Sequence, residues 1–141
     1  MITRRDFATR TACAICAVTG LAPAATSAQG APTITSGGVT RKILSRTEGP
    51  APGYITLLVE ATIPAGILVV RHKHPGVESA YVLEGGVELP IEGQPTRTFA
   101  PGDGYQIPVG VPHGGGKANT MDTRILITYV VEKDKPIASA A

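Results

Sequence analysis

From Arg41 onward the chain alternates apolar and polar positions in short runs broken by glycine and proline. Alternation of period two is the mark of strands with one buried face. The runs predict strands over Arg41–Arg46, Tyr54–Thr62, Ile67–His72, Ser79–Leu83, Val87–Ile91, Thr96–Phe99, Gly104–Ile107 and Arg124–Val131. Between them stand Gly49-Pro50-Ala51-Pro52-Gly53, Pro64-Ala65-Gly66, Gly85-Gly86, Glu92-Gly93, Ala100-Pro101-Gly102-Asp103 and Gly114-Gly115-Gly116. Glycine supplies positive φ and proline fixes φ, so these stretches read as turns. No segment after the N-terminal region holds a helical period over a dozen residues. Many short, closely spaced strands point to an all-β sandwich or barrel.

The N-terminal region follows different rules. Thr3-Arg4-Arg5-Asp6-Phe7 is followed by an apolar run from about Thr11 to Leu21, then by small residues through Ala28. A charged start, a short apolar stretch and a small-residue cleavage region have the layout of an export signal. The run is too short and too weakly apolar for a stable transmembrane helix. The arginine pair resembles the twin-arginine signal, which is an address rather than an anchor. Ala8 and Thr9 stand where that signal usually has leucine and often lysine. The expected organisation is a signal peptide over 1–28, a flexible arm or edge strand over 29–40, one domain over 41–133 and a C-terminal tail over 134–141. The expected location is periplasmic or secreted, with no membrane anchor after cleavage.

Cleavage would change the charge balance. The whole chain of 141 residues has thirteen Lys and Arg against eleven Asp and Glu. Loss of Arg4, Arg5, Arg10 and Asp6 leaves ten of each sign. A neutral protein gives no reason to expect nucleic acid or an anionic membrane as partner. Cys13 and Cys16, the only cysteines, also fall in the leader. Their CxxC spacing therefore carries no redox or metal reading, and the domain must hold together without disulfides.

The three histidines share one pattern. Gly66 is followed by His72-Lys73-His74, then Glu78, then Gly85; later come Gly102, Pro108, Gly110 and His113. On a strand, His72 and His74 point to one face and Lys73 to the other. Pro75-Gly76 then turns the chain, so that Glu78 can return a carboxylate to the same place. His113 arrives from elsewhere in the fold. Three imidazoles and a carboxylate suit borderline divalent metals. An octahedral ion held by His72, His74, Glu78 and His113 would keep two positions open, as catalytic sites do.

These residues resemble the two sequence motifs of the cupin superfamily, whose fold is a double-stranded β-helix, or jelly-roll barrel. Gly66, His72, His74, Glu78 and Gly85 match the first motif, and Gly102, Pro108, Gly110 and His113 the second. The one departure is Lys117, where the family has asparagine; that position is not a ligand. The resemblance covers about Arg41 to Val131. It implies an all-β barrel and a metal site. It leaves the reaction open, because one fold hosts many functions.

Alternation also predicts the lining of the barrel. Leu68 and Val70 share the face of His72 and His74, and Ala80 and Val82 that of Glu78. Arg71 and Tyr81 face away. The faces of Tyr105, Gln106, Thr128 and Tyr129 are not assigned. No inward cluster of Arg, Lys or His is visible, which disfavours a nucleotide-sugar or polyphosphate. The expected ligand is a small organic molecule in a mainly apolar pocket. Gly114–Gly116 reads as a flexible loop at the barrel mouth.

Two classes of function fit. One is a metalloenzyme acting on a small organic molecule, by oxygenase chemistry first and isomerase or lyase chemistry second. Glu78 would be a ligand and a proton acceptor there. The other is a non-catalytic module that binds a small ligand or the metal itself. Manganese or iron is expected, because folding before export would load them ahead of tighter-binding copper or zinc. Nickel, zinc, copper and cobalt also fit the donor set. A homodimer through sheet edges is compatible with the sequence but not required by it.

Overall fold

A computed structural model describes residues 31–117 and 119–141; the expected leader over 1–28 lies outside the described residues. Ten strands form among these residues, and no helix. The long strands are β2 (Val39–Glu48), β3 (Tyr54–Ile63), β5 (Gly76–Glu84) and β9 (Thr123–Glu132). With β1 (Thr33–Ser36) and β8 (Gly104–Ile107) they make a six-stranded sheet in the order β1-β2-β3-β9-β5-β8. Every pairing in it is antiparallel. The stretch read as an arm or edge strand thus contains an edge strand, β1, paired with β2.

One face of this sheet is the core wall. β3 buries Ile55, Leu57, Val59, Ala61 and Ile63, with the intervening positions half-covered. β9 does the same with Thr123, Ile125, Ile127, Tyr129 and Val131. Leu57 stands opposite Tyr129 and Ala61 opposite Ile125, so the apolar sets meet across the ladder. Register is fixed by this alternation, since a one-residue slip would turn both sets to solvent. The opposite wall contains β6 (Val87–Leu89) and β7 (Arg97–Phe99), which pair with each other. Val87, Leu89, Ile91 and Phe99 fill the space between the walls. Phe99 is fully covered and its ring packs 5.0 Å from that of Tyr105.

The main departure from the expected strands is Ile67–His72. Residues 67–71 form no strand, and β4 is only His72–Lys73. Ile67 and Val69 pack on the core, whereas Leu68 is 49% and Val70 70% exposed. The inward face is therefore one residue out of the expected register, and Leu68 and Val70 do not line the barrel interior as predicted. The cause is visible at Gly114 and Gly115. The Gly115 amide donates to the Val69 carbonyl at 2.8 Å. A Cβ on Gly114 would lie 3.0 Å from that carbonyl and 3.1 Å from the Arg71 Cα. The triglycine is thus no free loop; it permits a close backbone approach that holds 67–71 irregular.

Gly76 is not part of a turn either, since it opens β5. A Cβ there would collide with the Val130 carbonyl of β9. The C-terminal segment contains β10 (Ser139–Ala140), paired with β4.

Candidate metal centre

Three pieces of chain bring the four predicted residues together. His72 lies on β4, with His74 two residues on. Glu78 is on the inward face of β5, opposite Tyr129 of β9 and Ile107 of β8. His113 comes from the segment after β8. It is tied to the first ligand by a reciprocal pair of backbone hydrogen bonds, His72 N–H to His113 carbonyl at 2.8 Å and the reverse at 2.9 Å. The Gly110 amide donates to the His74 carbonyl at 3.0 Å, fixing the approach. The imidazole centroids are 4.4, 4.9 and 5.0 Å apart. One donor atom from each of His72, His74, Glu78 and His113 falls within 4.8 Å of all the others.

The rings are also set in the right tautomer. Nδ1 of His72 faces the Val70 carbonyl at 2.8 Å, Nδ1 of His74 the Ile137 carbonyl at 2.6 Å, and Nδ1 of His113 the Val111 carbonyl at 3.0 Å. A carbonyl only accepts, so each Nδ1 carries a proton and donates it. The Nε2 lone pairs are left for the centre. Such backing from behind is the usual way of orienting a metal-bound imidazole. Nε2 of His74 and of His113 are buried and make no hydrogen bond. Both nitrogens come near Glu78 Oε2, at 2.8 and 3.4 Å, but these contacts lack hydrogen-bond geometry. Buried acceptors without donors are costly. A cation among them removes that cost, so the donor set fits a divalent metal.

Electrostatics agree. Burial pushes His72 down, to about 4, which keeps the imidazole neutral as a ligand must be. Burial alone would raise the Glu78 carboxyl; its contacts with His113 and His74 outweigh this and hold it at about 2. Burial lowers His113, but the Glu78 carboxylate and the Val111 carbonyl outweigh it and raise the group. Without a cation, the Glu78 carboxylate favours the protonated form of His113. A divalent ion would displace that proton.

The centre opens on two cavities. A small one of about 40 Å³ touches His72, Glu78 and His113 and is otherwise mostly apolar. A larger one of about 420 Å³ lies on the outer side of His72, between β1, β2 and the C-terminal segment. His72 is the least buried of the four ligands and borders both. As expected, Ala80 and Val82 share the buried face of Glu78, while Arg71 and Tyr81 are exposed. Of the unassigned residues, Tyr105 and Tyr129 turn inward to the small cavity. Gln106 turns outward and donates to Ser79 Oγ. Burial, then the charge of Glu78, raises both tyrosine hydroxyls above their ordinary value. The tyrosine of β9 also packs its ring 4.9 Å from His74. Lys117, the departure from the motif, pairs with Glu88 at 3.0 Å, away from the four donors.

One inward residue has no counterpart in the sequence reading. Arg41 of β2 borders both cavities. The signal was present: Val39, Arg41 and Ile43 alternate, and Arg41 stands opposite buried Ala61 of β3. A strand prediction begun at Arg41 cut the pattern in two.

The profile of the cupin domain matches residues 59–130. The dimethylsulfoniopropionate lyase DddQ of Ruegeria pomeroyi is 41% identical over 51 residues, 36% of this chain and 25% of that protein. The chain thus spans about a quarter of the length of the curated relative it matches. The crystal structure of that lyase superposes with a TM-score of 0.56 at 26% identity, over 61% of this chain and 43% of the other. The polyketide cyclase RemF of Streptomyces resistomycificus gives 0.62 at 21% identity, over 79% and 80%. An RmlC-like cupin of Shewanella frigidimarina gives 0.60 at 19%, over 74% and 86%. The last two show the fold alone. With the profile covering half of the chain, the protein belongs to the cupin family.

Proposed function

We propose that the chain binds one divalent metal through His72, His74, Glu78 and His113 and is an enzyme acting on a small organic molecule by elimination or a related lyase reaction. The observation that carries this reading is the pair of buried Nε2 atoms, on His74 and His113, that have no hydrogen bond, in a cluster whose His72, Glu78 and His113 border a cavity. A closed structural site would have no cavity against it. A bound metal would supply a Lewis acid to polarise the substrate.

The chain's own groups divide the remaining work. Glu78, held at about 2, is a ligand and a poor proton acceptor. The hydroxyls of Tyr105 and Tyr129 line the small cavity, and burial keeps them protonated, so they can donate or relay a proton there. Val69, Leu89, Ile125 and Ile127 exclude water around them. The sequence alone ranked oxygenase chemistry first. Similarity to a lyase at 26% identity over 61% of the chain supports the reverse order. Export by a twin-arginine route, with manganese or iron loaded beforehand, belongs to the same proposal and rests on Arg4-Arg5 ahead of the apolar run.

The test is turnover of a panel of small molecules carrying a leaving group, dimethylsulfoniopropionate among them, by metal-loaded protein under air and under argon. Consumption followed by NMR is expected in both atmospheres and absent in His74→Ala. Turnover only under air would make it an oxygenase. Saturable binding without turnover would make it a binding module.

A further inference from the structure

The metal centre leaves one inward charge without a role. Arg41 is partly buried, points to the same side of the sheet as Ala61, and borders both cavities. We propose that Arg41 anchors a carboxylate of the substrate, so that the cavity takes a small organic acid with an apolar remainder. This rests on the reading of the metal centre as the reaction site.

Among the described residues, Arg71 pairs with Glu92, Arg124 with Glu60 and Glu84, Lys117 with Glu88, Lys133 with Glu48, and Lys135 with Glu132. Arg41 has no such carboxylate among the described residues; Lys42, Arg46, Lys73 and Arg97 have none either, but those four are exposed and Arg41 is partly buried. Its Nη1 donates to the Val39 carbonyl at a long 3.5 Å, and its guanidinium lies against the Tyr129 hydroxyl. Its charge also acts on the Tyr129 hydroxyl, a neutral neighbour that cannot balance it. A partly buried guanidinium among apolar walls is costly unless an anion meets it. The walls are Ile34, Val39, Ile43, Val59, Val69 and Ile137. None of them supplies that anion, and the carboxylate bordering the small cavity, Glu78, is taken up by His74 and His113, which leaves the ligand to supply it.

Geometry narrows the class. The larger cavity, about 420 Å³, holds a small organic molecule, whereas about 40 Å³ beside the centre admits little more than water. Arg41 and His72 border both spaces. An acid held at Arg41 therefore presents its other end toward the metal ligands. A carboxylate fits better than a phosphate. One planar guanidinium pairs with one carboxylate in two parallel hydrogen bonds. A phosphate dianion would call for a second cation, and the other one bordering the larger cavity, Arg71, is engaged by Glu92.

The test is calorimetric titration of propionate and butyrate, and of propionamide and butyramide, into metal-loaded and metal-free protein. The acids are expected to bind about tenfold or more tightly than their amides. Arg41→Gln should erase that preference with metal content unchanged, and Arg41→Lys should restore part of it. Circular dichroism of both variants checks that the fold is kept. Equal binding of acids and amides by the wild type would overturn the proposal. So would acid binding that persists in Arg41→Gln and disappears on metal removal, since the metal would then be the anchor. If the protein takes up no metal yet keeps an Arg41-dependent preference for acids, the anchor stands and the metal reading falls.

Discussion

The Ile137 carbonyl stands 2.6 Å behind Nδ1 of His74, sixty-three residues away in sequence. The segment read as a C-terminal tail thus orients a predicted metal ligand. β10 reinforces the contact by pairing Ala140 with His72 and Ser139 with Lys73. His72 and His113, by contrast, are backed by carbonyls two residues before them, Val70 and Val111.

Removing residues 136–141 should weaken metal binding about 10–100-fold, the usual effect of losing an outer partner of a ligating histidine. Ile137→Ala keeps the carbonyl and should stay within a few-fold of the wild type. Competition with a chromogenic chelator measures both. Equal affinity in the truncated protein would show that the tail only covers the site.

Acid should destabilise the metal-free protein. His72 has a folded pKa of about 4 against an ordinary 6.5, and Glu78 about 2 against 4.5. Both groups bind more protons unfolded than folded, so their contributions are present at higher pH and lost as pH falls through these windows. His113, raised by Glu78, works in the opposite sense: its contribution is present at low pH and lost as pH rises past its folded value. Thermal melts of the metal-free protein should therefore show a falling midpoint from about pH 6.5 toward pH 2. A midpoint flat across that range would contradict the shifts assigned to His72 and Glu78.

If Tyr105 and Tyr129 move the proton, replacing both with phenylalanine should cut kcat about a hundredfold or more while leaving metal content unchanged. Each hydroxyl faces the small cavity, and neither is among the four donors. An unchanged kcat in the double variant would return the proton to another group.

Much of the site was legible because its residues obey local rules. His72 and His74 sit two apart around a strand, and Glu78, Ala80 and Val82 alternate on β5 as their spacing requires. The boundaries of β3, β8 and β9 follow from the same period. What escaped depends on distant chain. The inward face of 67–71 is decided by Gly114 and Gly115, and the backing of His74 by Ile137. Neither leaves a trace within its own window of sequence. Arg41 escaped for a simpler reason, since the alternation that reveals it starts two residues earlier, at Val39.

The register of that irregular segment is open to direct measurement. Val69 packs on the core and Val70 is 70% exposed. Val69→Ala should cost about 1 kcal/mol. Val70→Ala should stay within about 0.5 kcal/mol. Urea melts giving the reverse order would restore the alternation first expected from the sequence.

The central claim is that His72, His74, Glu78 and His113 hold one ion together. Elemental analysis of the purified protein beside His74→Ala tests it most directly. The account predicts about one divalent ion per chain in the wild type and a large loss in the variant. No metal in the wild type after reconstitution, or equal metal in His74→Ala, would contradict it.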